Sequence, residues 1–216
     1  MNILFIAKHG DANAVLAFEY LKIYFPESKA VFGKRYSEIP EDIFEWKGDY
    51  IFSYLSPWII PDKILNNASK VSINWHPGPP EYPGIGCTNF AIYNNEKTFG
   101  ITCHEMLPKV DTGKIIEVRN FDILENDTVF SITQKCYALI QYSFFHIVDK
   151  IYSKSELEYS GHTWQRIPYK RNELNELCRL TLDMDKKEID RRIKATTYDK
   201  PWAYIEHNGR KFFIRD

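Results

Sequence analysis

Apolar and polar positions along the chain follow two periodicities, which predict strands and helices in turn. Residues 2–7 form an almost unbroken apolar run, as a buried parallel strand does. Further strand-like runs lie at residues 29–32, 50–55, 71–76, 99–106 and 114–121. Helical spacing occurs at residues 14–25 and, over the longest stretch, at residues 128–151. This order of elements predicts an α/β fold with a Rossmann-like, mostly parallel sheet flanked by helices.

The first predicted helix should turn four apolar residues toward the sheet, since helical neighbours lie three or four positions apart: Val15, Phe18, Leu21 and Phe25. For the long helix, Asp127 or Thr128 is the expected N-cap. The loop after the first strand lacks the Gly-x-Gly-x-x-Gly pattern, so the sequence does not predict dinucleotide binding.

The pattern changes after Ser153. Residues 154–180 are polar and irregular, and Asp185 with Glu188 predicts the start of a short helix. The Asn208-Gly209 pair joins two short apolar stretches and predicts a β-hairpin. We therefore expect a main domain at residues 1–155 and a C-terminal extension, with a short helix and a β-hairpin, at residues 156–216.

Composition narrows the functional classes. The 216 residues include 28 Lys and Arg against 29 Asp and Glu, so neither a nucleic-acid nor a membrane partner is predicted. No run is long enough to span a membrane, and the start has no basic leader. The four cysteines show no metal or disulfide spacing, which predicts reduced thiols, no metal site and a cytoplasmic location.

Candidate chemistry concentrates in residues 71–84, where a strand runs into a loop with four prolines and two glycines. Strand residues i and i+2 point to the same side about 7 Å apart, so Asn74 and His76 should share one face while Trp75 points away. Open α/β sheets place active sites at such strand ends. From this triplet alone, a turn cap and a surface histidine are the better interpretation, because short motifs match by chance.

Four ordered pieces extend the pattern: Asn74-Trp-His-Pro, Pro80-Glu-Tyr-Pro-Gly84, Phe99-Gly-Ile-Thr-Cys-His-Glu-Met106 and Val110-Asp-Thr-Gly-Lys-Ile-Ile116. Together they resemble the formyltransferase family, whose members transfer a formyl group from N10-formyltetrahydrofolate to an amine. The resemblance implies that residues 1–155 are the catalytic domain, and it implies the catalytic set Asn74, His76 and Asp111.

These three residue types suit acyl transfer to an amine. An asparagine N–H can donate to the developing oxyanion, histidine can accept and return a proton, and a carboxylate can orient the imidazole. We expect His76 at a strand end, outside the core. From the residues alone, Asp111 could equally be a turn residue before Gly113, and His104 a core histidine.

The resemblance also implies ligand contacts. The apolar loop at residues 56–61 would line the slot for the pterin ring of the donor, although packing under the next helix explains it equally well from the residues alone. The implied donor contacts are Leu55, Trp58, Ile59, Ile60, His104 and Asp111. The implied substrate contacts are Lys8, Trp75 and Tyr82. Pro83 stands where many family members have arginine, which leaves Lys8 or a C-terminal arginine to supply positive charge.

Within the family, the loop sequence and the short tail look most like enzymes that act on nucleotide-linked amino sugars for surface polysaccharide, or O-antigen, biosynthesis. Methionyl-tRNA and glycinamide ribonucleotide formyltransferases are the alternatives. A non-catalytic folate or nucleotide-sugar binder and a hydrolase of the donor also remain. Because hairpin strands this short are not stable alone, and because the sugar-modifying relatives often pair through their tails, we expect a homodimer.

Overall fold

The structure is a computed structural model, and it describes residues 1–198 and 202–214. Within them, the main sheet contains six strands: β1 (Ile3–Lys8), β2 (Lys29–Gly33), β3 (Gly48–Tyr54), β4 (Ala68–His76), β5 (Thr98–Glu105) and β6 (Ile115–Asp122). Their spatial order is β2-β1-β3-β4-β5-β6. The first four strands are parallel, whereas β5 and β6 are antiparallel to their neighbours. The predicted mostly parallel sheet is confirmed.

Helices cover the sheet. In chain order they are α1 (Ala12–Tyr24), a 3₁₀ turn (Glu41–Ile43), α2 (Asp62–Leu65), α3 (Cys87–Tyr93), α4 (Val129–Tyr152), α5 (Arg171–Cys178) and α6 (Lys186–Thr196). Thr128 is the N-cap of α4, in a reciprocal pair with Ser131. Phe144 of α4 packs among Phe5, Phe52 and Trp75, which joins this helix to the centre of the sheet. No described helix is long and apolar enough to cross a membrane.

The predicted inward face of α1 is partly wrong. Asp11 caps the helix, and its fully buried residues are Ala14, Ala17 and Leu21. Val15 is half exposed because it lies one position, roughly 100°, around the helix from Ala14. Two of the three fully buried positions of α1 are therefore small alanines.

The tail has more structure than its composition predicts. The stretch at residues 154–180 contains α5 and β7 (Arg179–Leu180), which were expected to be irregular. The predicted helix and hairpin are confirmed as α6, with Asp185 as its N-cap, and as β8 (Tyr204–His207) with β9 (Arg210–Phe213). The turn has two positive φ angles, 49° at Asn208 and 73° at Gly209, as a tight two-residue hairpin turn requires. β7 pairs with β8 to give a small three-stranded sheet.

Candidate active site

The candidate site lies where β4 and β5 meet. Asn74 of β4 is directly opposite His104 of β5 in the antiparallel register, so the two side chains share one face of the sheet. His76 follows two positions after Asn74, on the same face. These residues open into a cavity of about 410 Å³, to which the ends of β1 and β3 contribute Lys8 and Leu55.

His76 and Asp111 form a buried pair. Nδ1 of His76 lies 3.3 Å from Oδ2 of Asp111, and both side chains are about 5% exposed or less. On the other side of the ring, Nε2 is 2.8 Å from the carbonyl oxygen of Tyr82 and donates to it. The expectation that His76 lies outside the core is wrong, because the proline-rich loop folds back over the strand end and covers it.

The backbone of Asp111 is held in an unusual conformation. Its φ angle is 48°, a region that few residues other than glycine adopt. The Gly84 N–H donates to the Asp111 carboxylate at 2.7 Å. Two residues further on, Gly113 packs against the Glu105 carbonyl so closely that a Cβ atom added to it would lie 1.9 Å from the carbonyl oxygen. Asp111 is therefore both the first residue of the Asp-Thr-Gly turn and a candidate catalytic residue. The two interpretations made from the sequence do not exclude each other.

The carboxyl group of Asp111 is charged in this setting. Burial by itself raises its pKa, but the charge of His76, hydrogen bonding from His104 and the Gly84 N–H lower the pKa to about 2 overall. A negative charge thus lies beneath the cavity, between two imidazole rings. Among the described residues, no group of three or more His, Cys, Asp or Glu side chains is arranged to hold a metal ion.

His104 connects the other members of the site. Its Nε2 lies 3.1 Å from the Asn74 amide nitrogen and 3.3 Å from Oδ1 of Asp111, while Nδ1 donates to the Glu105 carbonyl at 2.7 Å. The ring is 2% exposed, and both nitrogens have protein partners. His104 also lines the cavity, and its contact with the formyl donor stays a prediction.

The loop at residues 56–61 forms one wall of the cavity, and its members differ in exposure. Ile59 is 72% exposed, whereas Ile60 is 6% exposed and packs with Ile64 and Leu65. Trp58 donates to the Ser37 carbonyl and its ring lies against Gly33, where an added Cβ would be 2.5 Å from it. Part of the loop therefore packs against α2 and part of it lines the cavity, and the slot for the pterin ring stays a prediction.

Two residues predicted to contact the substrate have buried side chains. Trp75 is fully buried and donates to Ser143 of α4, because alternation along β4 turns it to the opposite face of the sheet. Tyr82 is 5% exposed; its hydroxyl donates to Glu96, and its ring packs on Phe99 and Tyr169. Lys8 and Trp75 are both among the residues around the cavity, whereas Tyr82 is not, and the three substrate contacts stay predictions.

Other residues near the site were not predicted. Asp11, Ile85, Leu107, Val110 and Tyr137 line the cavity. From the tail, Trp164 lies with its ring centroid 5.0 Å from that of His104 and 5.9 Å from that of His76. The available signal was an aromatic residue in an otherwise polar stretch, which does not by itself show where the segment packs.

Comparison with known proteins identifies the family to which the chain belongs. The family model described as formyl transferase matches residues 22–144, and the chain belongs to this family. It is 24% identical to methionyl-tRNA formyltransferase of Lactobacillus johnsonii over 179 residues, which cover 82% of this chain and 56% of that protein. The chain spans about half the length, or less, of the curated relatives it matches.

Two solved structures share the fold over nearly the whole chain. A sugar N-formyltransferase from Shewanella sp FDAARGOS_354 has a TM-score of 0.78 at 20% identity, covering 100% of this chain and 96% of that one. The N-formyltransferase from Helicobacter canadensis, in complex with folinic acid and dTDP-3-aminofucose, has a TM-score of 0.74 at 20% identity, covering 97% and 85%. The likeness includes the C-terminal extension.

Proposed function

We propose that this chain is an N-formyltransferase that moves a formyl group from N10-formyltetrahydrofolate to the amino group of a nucleoside-diphosphate-linked amino sugar. The observation that carries the proposal is the arrangement of Asn74, His76 and Asp111 beneath the cavity. A protein that only binds its ligand has no need of a buried carboxylate–imidazole pair beside an amide donor.

The cavity suits the formyl donor. Its wall carries exposed apolar side chains, Ile59, Leu107 and Val110, which can cover an aromatic ring system, while the polar groups gather at one end. The donor would bring an activated formyl group to that end. This combination of an apolar wall and a few convergent polar groups is typical of sites for small aromatic ligands.

The reaction forms a bond between the acceptor nitrogen and the formyl carbon, and breaks the bond from that carbon to the donor nitrogen. The Asn74 amide can donate to the formyl oxygen as it becomes negative, and one such donor is typically worth about 3–4 kcal/mol of barrier. One proton must leave the acceptor amine and one must reach the departing nitrogen. A residue that both accepts and donates a proton can serve both steps.

We assign this proton transfer to His76. The ring meets an acceptor at each nitrogen, the Tyr82 carbonyl and the Asp111 carboxylate, so the charged form with two N–H groups satisfies both contacts. The Asp111 carboxylate beside Nδ1 orients the ring. Because the Tyr82 carbonyl holds Nε2 in the observed conformation, we infer that the ring releases this carbonyl when substrates bind.

The choice of a nucleotide-linked sugar as acceptor rests on the likeness to the two solved N-formyltransferases. The Shewanella enzyme shares the fold of this chain, including that of the tail. The Helicobacter enzyme supports a nucleotide-linked sugar, since it was solved with dTDP-3-aminofucose. Methionyl-tRNA is the alternative acceptor, supported by the curated sequence relatives.

Three further statements belong to this proposal. A formylated nucleotide sugar would serve surface polysaccharide biosynthesis, including O-antigen. The buried thiols of Cys87, Cys103 and Cys136 support a reducing compartment, the cytoplasm. A homodimer is supported by the hairpin, in which Phe212 and Phe213 are about half exposed.

The test is a product analysis with the purified protein and N10-formyltetrahydrofolate. We expect equal amounts of tetrahydrofolate and formylated sugar with a nucleotide-linked amino sugar, and no turnover with glycinamide ribonucleotide, methionyl-tRNA or buffer alone. Donor consumption without an acceptor would instead identify a hydrolase. Formylation of methionyl-tRNA would establish the alternative acceptor, and ligand binding without any turnover would contradict the enzyme assignment.

A further inference from the structure

A segment of the tail lies across the candidate site, although residues 22–144 carry the family match. We call residues 159–169 the strap. Its backbone is fixed at three places: the Ser160 N–H donates to Ile115, the Gln165 N–H to Pro80, and the Tyr169 N–H to Pro83. The strap thus joins the start of β6 to the proline-rich loop, which are the two elements that flank His76 and Asp111.

Trp164 is the strap residue that reaches the catalytic candidates. Its indole N–H donates to the Gly113 carbonyl at 2.9 Å, two residues after Asp111. Its ring stands at 87° to the His104 ring and at 73° to the His76 ring, in edge-to-face contact with both. Trp164 is not among the residues that line the cavity, and its contacts at the site are with the two imidazoles and the Gly113 carbonyl.

We propose that Trp164 is a positioning residue for formyl transfer, which fixes the two imidazole rings and the Asp111 loop relative to each other. The effect that we expect Trp164 to have on turnover rests on the proposed function. Trp164 acts through His76, His104 and Gly113, and its contribution is geometric.

Two physical effects support this role. The first is orientation, because an imidazole can turn about its Cβ–Cγ bond, and a large ring packed against it restricts that motion. The second is exclusion of water, since the attraction between His76 and Asp111 is stronger where the surroundings are less polar. The hydrogen bond to Gly113 adds a fixed point on the loop that holds Asp111 at its positive φ angle.

Three variants separate these contributions. Trp164→Ala removes the ring and the hydrogen bond, whereas Trp164→Phe keeps an aromatic ring and removes only the N–H donor. Ile167→Ala is the matched control, because Ile167 belongs to the strap and is 68% exposed. For each variant, circular dichroism checks the fold, NMR follows the imidazole resonances of the histidines, and steady-state kinetics give kcat and KM.

We expect Trp164→Ala to shift the resonances of His76 and His104 and to leave those of His146 and His207 in place. Its kcat should fall about tenfold or more while KM for the donor stays within about threefold, as expected when geometry changes and ligand contacts do not. Trp164→Phe should fall between Trp164→Ala and wild type. Ile167→Ala should match wild type in both measurements.

Unchanged His76 and His104 resonances, or a kcat for Trp164→Ala within about twofold of wild type, would overturn the proposal. If Trp164→Ala fails to fold, Trp164→Phe provides the test. Loss of the N–H donor should then shift the His76 and His104 resonances and lower kcat, and no change in either would overturn the proposal. If wild type transfers no formyl group to any acceptor, the proposed function fails. The resonances still decide whether Trp164 positions the rings.

Discussion

Nδ1 of His76 lies 3.3 Å from Oδ2 of Asp111, with only 5% and 4% of the two side chains exposed. The two residues come from the end of β4 and from the loop that precedes β6. In water such a pair would be screened, but in this buried setting the charge of His76 lowers the pKa of Asp111. The pair therefore links the chemistry of the site to the stability of the fold.

The first prediction concerns the pH dependence of stability. The pKa of Asp111 is about 2 in the folded protein, below the value of about 3.9 for an unfolded aspartate. A lowered pKa stabilises the fold above the unfolded pKa, and this contribution is lost as the pH falls through the folded value. We expect the free energy of unfolding to drop by about 2–3 kcal/mol from this group between about pH 5 and pH 2.

Asp111→Asn is the variant that tests it, because asparagine keeps the shape and tolerates the positive φ angle. Urea unfolding at a series of pH values should show that the free energy of unfolding falls less at acid pH in Asp111→Asn than in wild type. Asp62→Asn, at an exposed position in α2, serves as the control and should follow wild type. Parallel curves for wild type and Asp111→Asn would contradict the assigned charge.

The second prediction concerns turnover. His76→Ala should abolish measurable formyl transfer and should also lower stability by about 1–3 kcal/mol, because Asp111 and the Tyr82 carbonyl lose a buried partner. Asn74→Ala should reduce kcat about a hundredfold or more, as expected for an oxyanion donor.

Kinetics together with thermal unfolding check both variants. His207→Ala and Asn66→Ala, at exposed positions, are the controls and should retain activity. Wild-type-like turnover in His76→Ala would remove the proton-transfer assignment. An unchanged melting temperature in His76→Ala would mean that the buried pair does not stabilise the fold.

The third prediction concerns the donor slot. Ile59→Asp should weaken binding of a stable folate analogue more than binding of a nucleotide sugar, because it places a charge on the apolar wall of the cavity. Ile60 is not suitable for this test, since it is 6% exposed and Asp there would destabilise the core around Ile64.

Calorimetric titration of both ligands gives the comparison. Ile23→Asp on α1 is the matched control, since Ile23 is 73% exposed and Ile59 is 72% exposed. Equal weakening of both ligands by Ile59→Asp, or no effect on the folate analogue, would count against a donor slot at this loop.

The fourth prediction concerns the homodimer. In the hairpin, Phe213 packs on Tyr204, whereas Phe212 is 57% exposed and pairs across the ladder with Ile205. Phe212→Glu should therefore weaken association without unfolding the chain, and truncation after Thr197 should give a less stable or monomeric protein.

Light scattering at micromolar concentration measures the mass in solution. Glu206→Ala, at an exposed hairpin position, is the control and should behave as wild type. A wild-type protein that remains monomeric rules out the dimer, and the hairpin then stabilises only its own domain.

Local patterns were enough for much of the fold. The buried runs predicted the strands of the main sheet, the long amphipathic stretch predicted α4, and Asn208-Gly209 predicted the hairpin turn. Each of these depends on side-chain periodicity or on the backbone preference of one or two residues. The motifs also named Asn74, His76 and Asp111 together, because their order along the chain resembles that of a family.

What the tertiary structure decided is which side chains are covered, and by what. His76 is buried because the loop from Pro77 to Gly84 and the strap close over a strand end, and neither contact is visible in the strand itself. Tyr82 is a core residue for the same reason. Trp164 reaches the two histidines only because distant backbone hydrogen bonds hold the strap in place. Sequence periodicity reports a residue's own element, whereas burial depends on elements far away in the chain, and so it is decided only when the chain is folded.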